Sequence, residues 1–180
     1  MKLIIENNKV KGYEYKKEGV IIPDGVTSID DYAFSKCKNI TSVVISNSVT
    51  RIGNYAFFEC KNLKYVIISK GVTSIGEWAF ADCSSLTSIT IPESVTSIGY
   101  YAFAWCKSLI NIMIPEGVTS IEYKAFCDCQ SLTSITIPDS VTSIDSLVFD
   151  GCENLTVYCN KGSHAESYCI KNGIRYEVME

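Results

Sequence analysis

Residues 85–106 read SLTSITIPESVTSIGYYAFAWC, and this segment recurs along the 180-residue chain every 23 residues. A cysteine stands three residues after a phenylalanine in each copy, and the phenylalanines are Phe34, Phe57, Phe80, Phe103, Phe126 and Phe149. Six copies at an unbroken period are typical of a solenoid, in which each repeat forms one coil that stacks on the next. Such regularity argues against an enzyme, which needs a convergent polar site.

Each repeat carries two short apolar segments. In the quoted copy, Ile89 and Ile91 alternate with polar residues, and this period-2 spacing predicts a short strand with one buried face. Val95 and Ile98 predict a second extended stretch on the opposite side of the coil. The Ala-Phe-x-x-Cys segment is expected to close the coil as a 3₁₀ or single α turn. Proline lacks the N–H that a ladder needs, and the four prolines all fall just past the first strand, at Pro23, Pro92, Pro115 and Pro138.

The two ends of the chain depart from the repeat, as the capping of a solenoid requires. We expect one domain with an N-terminal cap at residues 1–19, repeats at 20–160 and a C-terminal cap at 161–180. Within the first cap, the segment from Leu3 to Tyr15 is expected to cover the open end as a strand or hairpin.

At the far end the period slips by one residue, so we expect Val157 and Cys159 to fill the last strand position. Ser163 fits a helix N-cap with Glu166 three residues later, and Gly173 fits a stop signal. These signals predict a short helix in the C-terminal cap, and residues 174–178 predict a final strand.

These columns resemble the treponemal-type, or BspA-like, leucine-rich repeat family. Its unit is close to L-x-x-L-x-L-P-x-x-L-x-x-I-G-x-x-A-F-x-x-C-x-x, and the match covers about residues 20–160. Valine replaces leucine after the proline, and the last copy has Val148 for alanine and Asp145 for glycine. The resemblance implies an α/β-type repeat solenoid, mostly β. This would be a right-handed leucine-rich-repeat solenoid with one parallel concave sheet and six 23-residue repeats between two caps.

The resemblance also implies a functional context. Known relatives are mostly bacterial surface or secreted proteins that are linked to adhesion and host contact. It therefore suggests a protein ligand at a host surface or in the matrix, and a secreted or cell-surface location. Repeat folds are reused for many functions, so the fold alone does not specify the ligand.

Composition sets bounds on the partners. Sixteen Lys and Arg against twenty Asp and Glu give a net charge of −4, and no basic stripe suggests nucleic acid. The longest apolar run, residues 100–106, is far shorter than the roughly 20 residues of a spanning helix, so we expect no membrane insertion. The first eight residues do not resemble a signal peptide, which keeps a cytoplasmic location open as the alternative. We expect a monomer.

Nine cysteines raise the question of disulfides or reactive thiols. Six belong to the repeat column, where parallel side chains fit disulfide geometry poorly, and we expect them to be small buried hydrophobes. Cys159 is expected in the core as well. Cys127 and Cys169 are the two that we expect to be exposed or reactive.

Catalytic, cofactor and metal sites are not indicated. The Cys127-x-Cys129 pair and the lone His164 do not match zinc-ligand spacing. That histidine falls in the predicted cap, with no nucleophile signature beside it. The carboxylates Asp24, Glu93, Glu116 and Asp139 fall in turn columns and are expected to be solvated.

The outward positions of the predicted concave sheet are the leading candidate site. Apolar and aromatic residues stand there although the fold demands none, and this pattern often marks an interface. The alternative is that such side chains simply favour a sheet surface. The candidate protein-binding residues are Val44, Tyr65, Ile67, Thr90, Asn111, Met113, Thr136 and Tyr158.

A second aromatic column runs through Tyr32, Tyr55, Trp78 and Tyr101. Its rings could bind a glycan, or they could pack on one another between coils. Three functions therefore stay open: a protein-interaction module of adhesion type, a carbohydrate-binding module, and an intracellular scaffold or inhibitor.

Overall fold

The 23-residue period is the step between stacked coils in the computed structural model, which describes residues 2–14 and 18–179. Val43, for example, pairs in parallel with Val20 on one side and with Val66 on the other. The predicted mostly β solenoid is confirmed. Tyr15, which we placed in the N-terminal cap, lies outside the described residues.

Two rows of short parallel strands run along the stack. The front row contains β3 (Gly19–Ile22), β5 (Ser42–Ile45), β7 (Tyr65–Ile68), β9 (Ser88–Thr90), β11 (Asn111–Met113), β13 (Ser134–Thr136), β15 (Thr156–Cys159) and β16 (Tyr176–Val178). The back row contains β4 (Ser28–Ile29), β6 (Arg51–Ile52), β8 (Ser74–Ile75), β10 (Ser97–Ile98), β12 (Ser120–Ile121) and β14 (Ser143–Ile144). Both apolar segments of the repeat therefore form strands, as predicted.

The phenylalanines form a continuous ladder inside the stack. Neighbouring rings are nearly parallel, and their centroids lie between 4.9 Å, for Phe34 and Phe57, and 5.9 Å, for Phe126 and Phe149. The first five are fully buried. Inward-facing valine, isoleucine and leucine from both rows surround the ladder, which makes one continuous core.

The closing segment of each coil is a series of turns and not the 3₁₀ or α turn that we expected. Tyr32 and Lys36 flank Phe34 and have φ of 62° and 60°, a left-handed conformation that a helical turn excludes. This geometry aims their N–H groups at the next coil. Tyr32 N donates to Asn54 O at 3.0 Å, and Lys36 N donates to Phe58 O at 2.7 Å. We call this third set of bonds between coils the turn row.

The front row is divided into two four-stranded sheets, where we expected one. β3, β5, β7 and β9 form the first, and β11, β13, β15 and β16 form the second. One backbone hydrogen bond, made at the same position in each coil just before the front strand, lengthens toward this divide. It measures 2.8 Å from Lys64 N to Thr41 O, 3.2 Å from Thr87 N to Lys64 O, and 3.5 Å from Ile110 N to Thr87 O across the divide. At the next coil it returns to 2.9 Å.

A missing hydroxyl accompanies the divide. Thr41, Thr87 and Thr133 each bond the preceding coil through Oγ1 as well as through the backbone, at 3.2 to 3.3 Å. Ile110 occupies the same column at the divide and has no hydroxyl. Lys64 also lacks one and its backbone bond stays short, so this loss contributes to the divide without being sufficient for it.

The N-terminal cap is a hairpin of β1 (Lys2–Glu6) and β2 (Lys9–Glu14), joined by two asparagines with positive φ. β2 pairs in parallel with β4 and so extends the back row. Tyr13 is buried and lies 5.7 Å from the Phe34 ring, which covers the end of the phenylalanine ladder.

The C-terminal cap is α1 (His164–Asn172) followed by β16. The predicted start and stop signals of the helix are confirmed. Ser163 Oγ accepts a hydrogen bond from Glu166 N, and Gly173 ends the helix in the left-handed conformation. Tyr168 contacts the Phe149 ring edge-on at 6.2 Å, so a tyrosine closes this end of the ladder too. The helix has nine residues, and no helix in the described ranges is long and apolar enough to cross a bilayer.

No disulfide joins any of the nine cysteines, all of which lie in the described residues. Five thiols of the repeat column donate to a phenylalanine carbonyl of the preceding coil, as Cys60 Sγ does to Phe34 O at 3.0 Å. Burial raises the pKa of Cys60 to about 12, which keeps its thiol protonated. The repeat cysteines therefore act as small core residues, but Cys152 in the last copy is only partly buried.

The expectation that Cys127 and Cys169 are exposed is wrong. Cys127 is 2% exposed and Cys169 is fully buried. Cys127 follows Phe126 directly, and its thiol lies against Asp128 Oδ2 at 3.3 Å. Cys169 is on the inner side of α1, against the core. Burial raises the pKa of both thiols to about 12, so both are poor nucleophiles.

Restoring the missing hydroxyl at the divide should stabilise the protein. In Ile110→Thr, the new Oγ1 can bond Thr87 O, as the other threonines of the column bond theirs. We expect the free energy of unfolding to rise by about 0.5–1 kcal/mol, measured by urea denaturation. Ile110→Val has the same shape without the hydroxyl and is the matched control. Equal stability of the two variants would contradict this account of the divide.

Alkylation of the native protein should modify one cysteine much faster than the other eight. We expect that residue to be Cys152, because the other eight are buried. Iodoacetamide labelling followed by peptide mass spectrometry identifies it, and Cys152→Ser should remove the fast phase. Rapid labelling of Cys127 or Cys169 in the folded protein would contradict the burial described above.

Candidate functional site

The front face is the outer surface of the front row, and its residues alternate with the buried ones. In β7 the exposed residues are Tyr65 and Ile67, at 56% and 59%, between buried neighbours. Met113 in β11 is 70% exposed. Large apolar side chains therefore stand in solvent along the row.

Strand register brings the candidate residues together in two groups. Val44, Ile67 and Thr90 are neighbours across β5, β7 and β9. Met113, Thr136 and Tyr158 are neighbours across β11, β13 and β15. Tyr65 and Asn111 lie two residues before Ile67 and Met113 on the same face of their strands. The divide between β9 and β11 separates the two groups.

The degree of exposure differs between candidates. Val44 is 37% exposed, and Thr90 and Asn111 are also exposed, whereas Thr136 and Tyr158 are partly buried. Ile21 was not among our candidates, yet it is 63% exposed and pairs with Val44. Extending the column back by one period of 23 residues would have found it.

The front face carries no charge over seven successive strands. Each front-row strand from β3 to β15 contributes two outward positions. These positions are occupied by Gly, Ser, Thr, Asn, Val, Ile, Met and Tyr. The first charged residue is Glu177, on β16. Because 20% of the whole chain is charged, this uncharged face is a distinct region of the surface. Depletion of charge is a feature of interface cores.

A groove of about 660 Å³ lies over the divide in the front row. Its lining includes Thr90, Asn111, Met113 and Thr136 from the candidate set, together with the prolines that follow the strands. Glu93 and Glu116 also line it, although their turn positions had suggested only solvated carboxylates. The groove thus spans a backbone divide that the sequence did not indicate.

The four residues of the aromatic column stack face to face. The ring centroids are 4.8 Å apart for Tyr32 and Tyr55, 5.7 Å for Tyr55 and Trp78, and 4.2 Å for Trp78 and Tyr101. Trp105 stacks beside Trp78 and Tyr101 as well. Each inner ring thus has its faces covered by other rings, which favours the packing interpretation over glycan binding.

The backbone of these four residues is strained, and stacking of their rings compensates for the strain. All four residues have φ between 54° and 62°, a conformation that costs an L-residue roughly 1–2 kcal/mol. A stacked aromatic pair contributes about 0.5–1.5 kcal/mol beyond its burial, which is of similar size. Stacking therefore offsets the backbone strain at these four positions. The glycan role of Tyr32, Tyr55, Trp78 and Tyr101 remains a prediction.

Polar chemistry is sparse elsewhere. The described residues contain no group of three His, Cys, Asp or Glu side chains that could hold a metal ion. His164 begins α1 on the surface of the C-terminal cap. Lys124 contacts Asp150 at 3.4 Å, and Cys127 lies near the same carboxylate at 3.9 Å, but burial raises the pKa of this thiol and keeps it protonated.

Comparison with solved structures finds bacterial leucine-rich-repeat proteins. A leucine-rich repeat protein from Bacteroides ovatus is 35% identical with a TM-score of 0.77, over 83% of this chain and 42% of that one. The T. pallidum leucine-rich repeat protein is 27% identical with a TM-score of 0.82, over 96% of this chain and 93% of that one. A leucine-rich cell surface protein from Faecalibacterium prausnitzii is 32% identical with a TM-score of 0.62, over 87% and 52%.

The chain spans less than half the length of the Bacteroides ovatus protein. A search of curated proteins found no match. The family model of the BspA type leucine rich repeat region matches six copies over residues 27–156. This repeat fold is generally that of non-enzymatic protein-interaction modules. The sequence match and the stacked coils lead to one conclusion: the chain belongs to the BspA-type leucine-rich-repeat family.

Proposed function

We propose that this protein is a non-enzymatic module that binds a protein ligand through its front face. The observation that carries the proposal is the combination of an uncharged strand surface with large exposed apolar side chains. Tyr65, Ile67 and Met113 are each more than half exposed, and the fold itself gains nothing from their exposure. Burial of apolar surface against a partner is the main source of affinity for such residues.

The context that we propose is adhesion or host contact by a monomer. Support comes from family membership and from the cell surface protein of Faecalibacterium prausnitzii among the similar structures. The ligand would then be a host surface or matrix protein. The binding residues proposed are Val44, Tyr65, Ile67, Thr90, Asn111, Met113, Thr136 and Tyr158, to which exposure adds Ile21.

A front-face variant tests the proposal. Tyr65→Glu with Met113→Glu puts two charges into the apolar face, and both side chains are exposed, so the fold should survive. In pull-downs from host-type extracts, we expect the wild type to capture a protein that this variant loses. The purified ligand should then bind at least tenfold more weakly to the variant in calorimetry, because the new charges must be desolvated.

The matched control is Tyr100→Glu, which changes an aromatic residue that is 44% exposed and lies outside the front row. It should bind like the wild type, and circular dichroism should be the same for all three proteins. Equal capture by the front-face variant, or no capture by the wild type, would remove the assignment to this face.

Carbohydrate binding by the aromatic column can be tested by fluorescence. If a sugar bound the aromatic column, titration with glycans would change the fluorescence of Trp78 and of Trp105, which stacks on it at 5.6 Å. We expect no saturable change, because the inner ring faces are covered. A saturable change that Tyr32→Ala abolishes, with the fold intact, would favour the carbohydrate-binding module instead.

A further inference from the structure

The groove over the divide differs from the rest of the front face in its main-chain chemistry. Ile114 N donates to Thr136 O at 3.0 Å, and Ile137 N donates to Tyr158 O at 2.9 Å. No corresponding bond runs from Ile91 to Met113 in the described structure. Facing main-chain groups of β9 and β11 are thus left without a ladder.

The floor of the groove is apolar and accessible. Met113 lies in it and is the most exposed of the large hydrophobic residues in the described chain, at 70%. Ile89 and Ile112, which point inward, retain 7% and 5% exposure at the divide, while Ile135 in the next coil has none. A flexible methionine between two threonines can adapt to an incoming aliphatic side chain.

Glu93 and Glu116 line the groove, and Asp139 follows the lining residue Pro138, so three successive coils carry negative charge at or beside the rim. Glu93, Glu116 and Asp139 occupy one turn column, and all three are exposed. Adjacent coils are about 4.8 Å apart, so these carboxylates lie within a Debye length of one another and repel. None of them is in any ion pair of the described residues; Asp139 accepts from Asn160 Nδ2 at 3.0 Å. Lys70 precedes Glu93 in the column but makes no ion pair with it.

The negative charge of the rim and the apolar floor of the groove favour the same kind of ligand. We propose that this groove binds an extended segment of a protein ligand that sets a Lys or Arg against Glu93, Glu116 and Asp139 and an aliphatic side chain on Met113. The cation relieves repulsion along the rim, and the aliphatic side chain covers the exposed apolar surface of Met113. This inference rests on the proposed function, since it names the part of the ligand that the front face recognises.

The test uses the whole chain and a random library of linear dodecapeptides displayed on phage. Peptides selected by the wild type should be enriched in Lys or Arg next to an aliphatic residue. A selected peptide, synthesised and labelled, should bind roughly tenfold more weakly to Glu93→Gln/Glu116→Gln/Asp139→Asn, measured by fluorescence anisotropy. Its affinity for the wild type should fall as salt rises.

Two further variants separate the parts of the groove. Glu14→Gln/Glu18→Gln/Asp24→Asn removes the same charge from exposed acids at the N-terminal end, and it should bind the peptide like the wild type. Met113→Thr places in the floor the residue that Thr90 and Thr136 already provide in the same column, and it should weaken binding with the fold intact. Circular dichroism checks folding of each variant.

The outcomes that overturn the inference are specific. No selected peptide, no enrichment in Lys or Arg, or equal affinity of the rim and control variants would each remove it. A protein ligand lost by Tyr65→Glu but bound normally by the rim variant would keep the proposed function and reject the groove. Loss of the ligand by Glu93→Gln/Glu116→Gln/Asp139→Asn, with normal binding by Tyr65→Glu, would keep the groove as the binding site and exclude β7 from it.

Discussion

Stacking of one phenylalanine per coil sets the step on which the whole structure depends. Parallel strands lie about 4.8 Å apart, and parallel aromatic rings pack at a similar distance. The ladder from Phe34 to Phe149 keeps its centroids 4.9 to 5.9 Å apart, so ring packing and strand pairing fit the same translation. A repeat without this ring would leave a void between coils that no neighbour could fill.

Three rows of backbone hydrogen bonds hold the coils together, so one row can be interrupted while the other two remain intact. The back row and the turn row continue through the coil boundary where the front row divides. Phe80 and Phe103 remain stacked there at 5.5 Å. The front row can therefore open between β9 and β11 without loss of the coil stack. The groove lies over this boundary, where the coil stack does not depend on pairing in the front row.

Much of the fold could be predicted because a period is a long-range signal. Alternation at Ile89 and Ile91 predicted strands, and Ser163 and Gly173 predicted the helix and its ends. The turn row could not be predicted, because residues such as Tyr32 and Trp78 give no local signal for a left-handed backbone. The burial of Cys127 and Cys169 depends on packing that lies outside the repeat pattern. Alternation predicted the candidate face, but the divide between β9 and β11, over which the groove lies, has no counterpart in the alternation pattern.

The caps close only part of each end. Tyr13 and Tyr168 cover the two ends of the phenylalanine ladder, while the front row ends in β3 and β16, each paired on one side within the described residues. A pulling force between the two caps would pass through the coil boundaries in series. In such an arrangement the weakest boundary sets the load that the whole can bear. The divide at β9 and β11 is thus the point at which tension would first widen the groove.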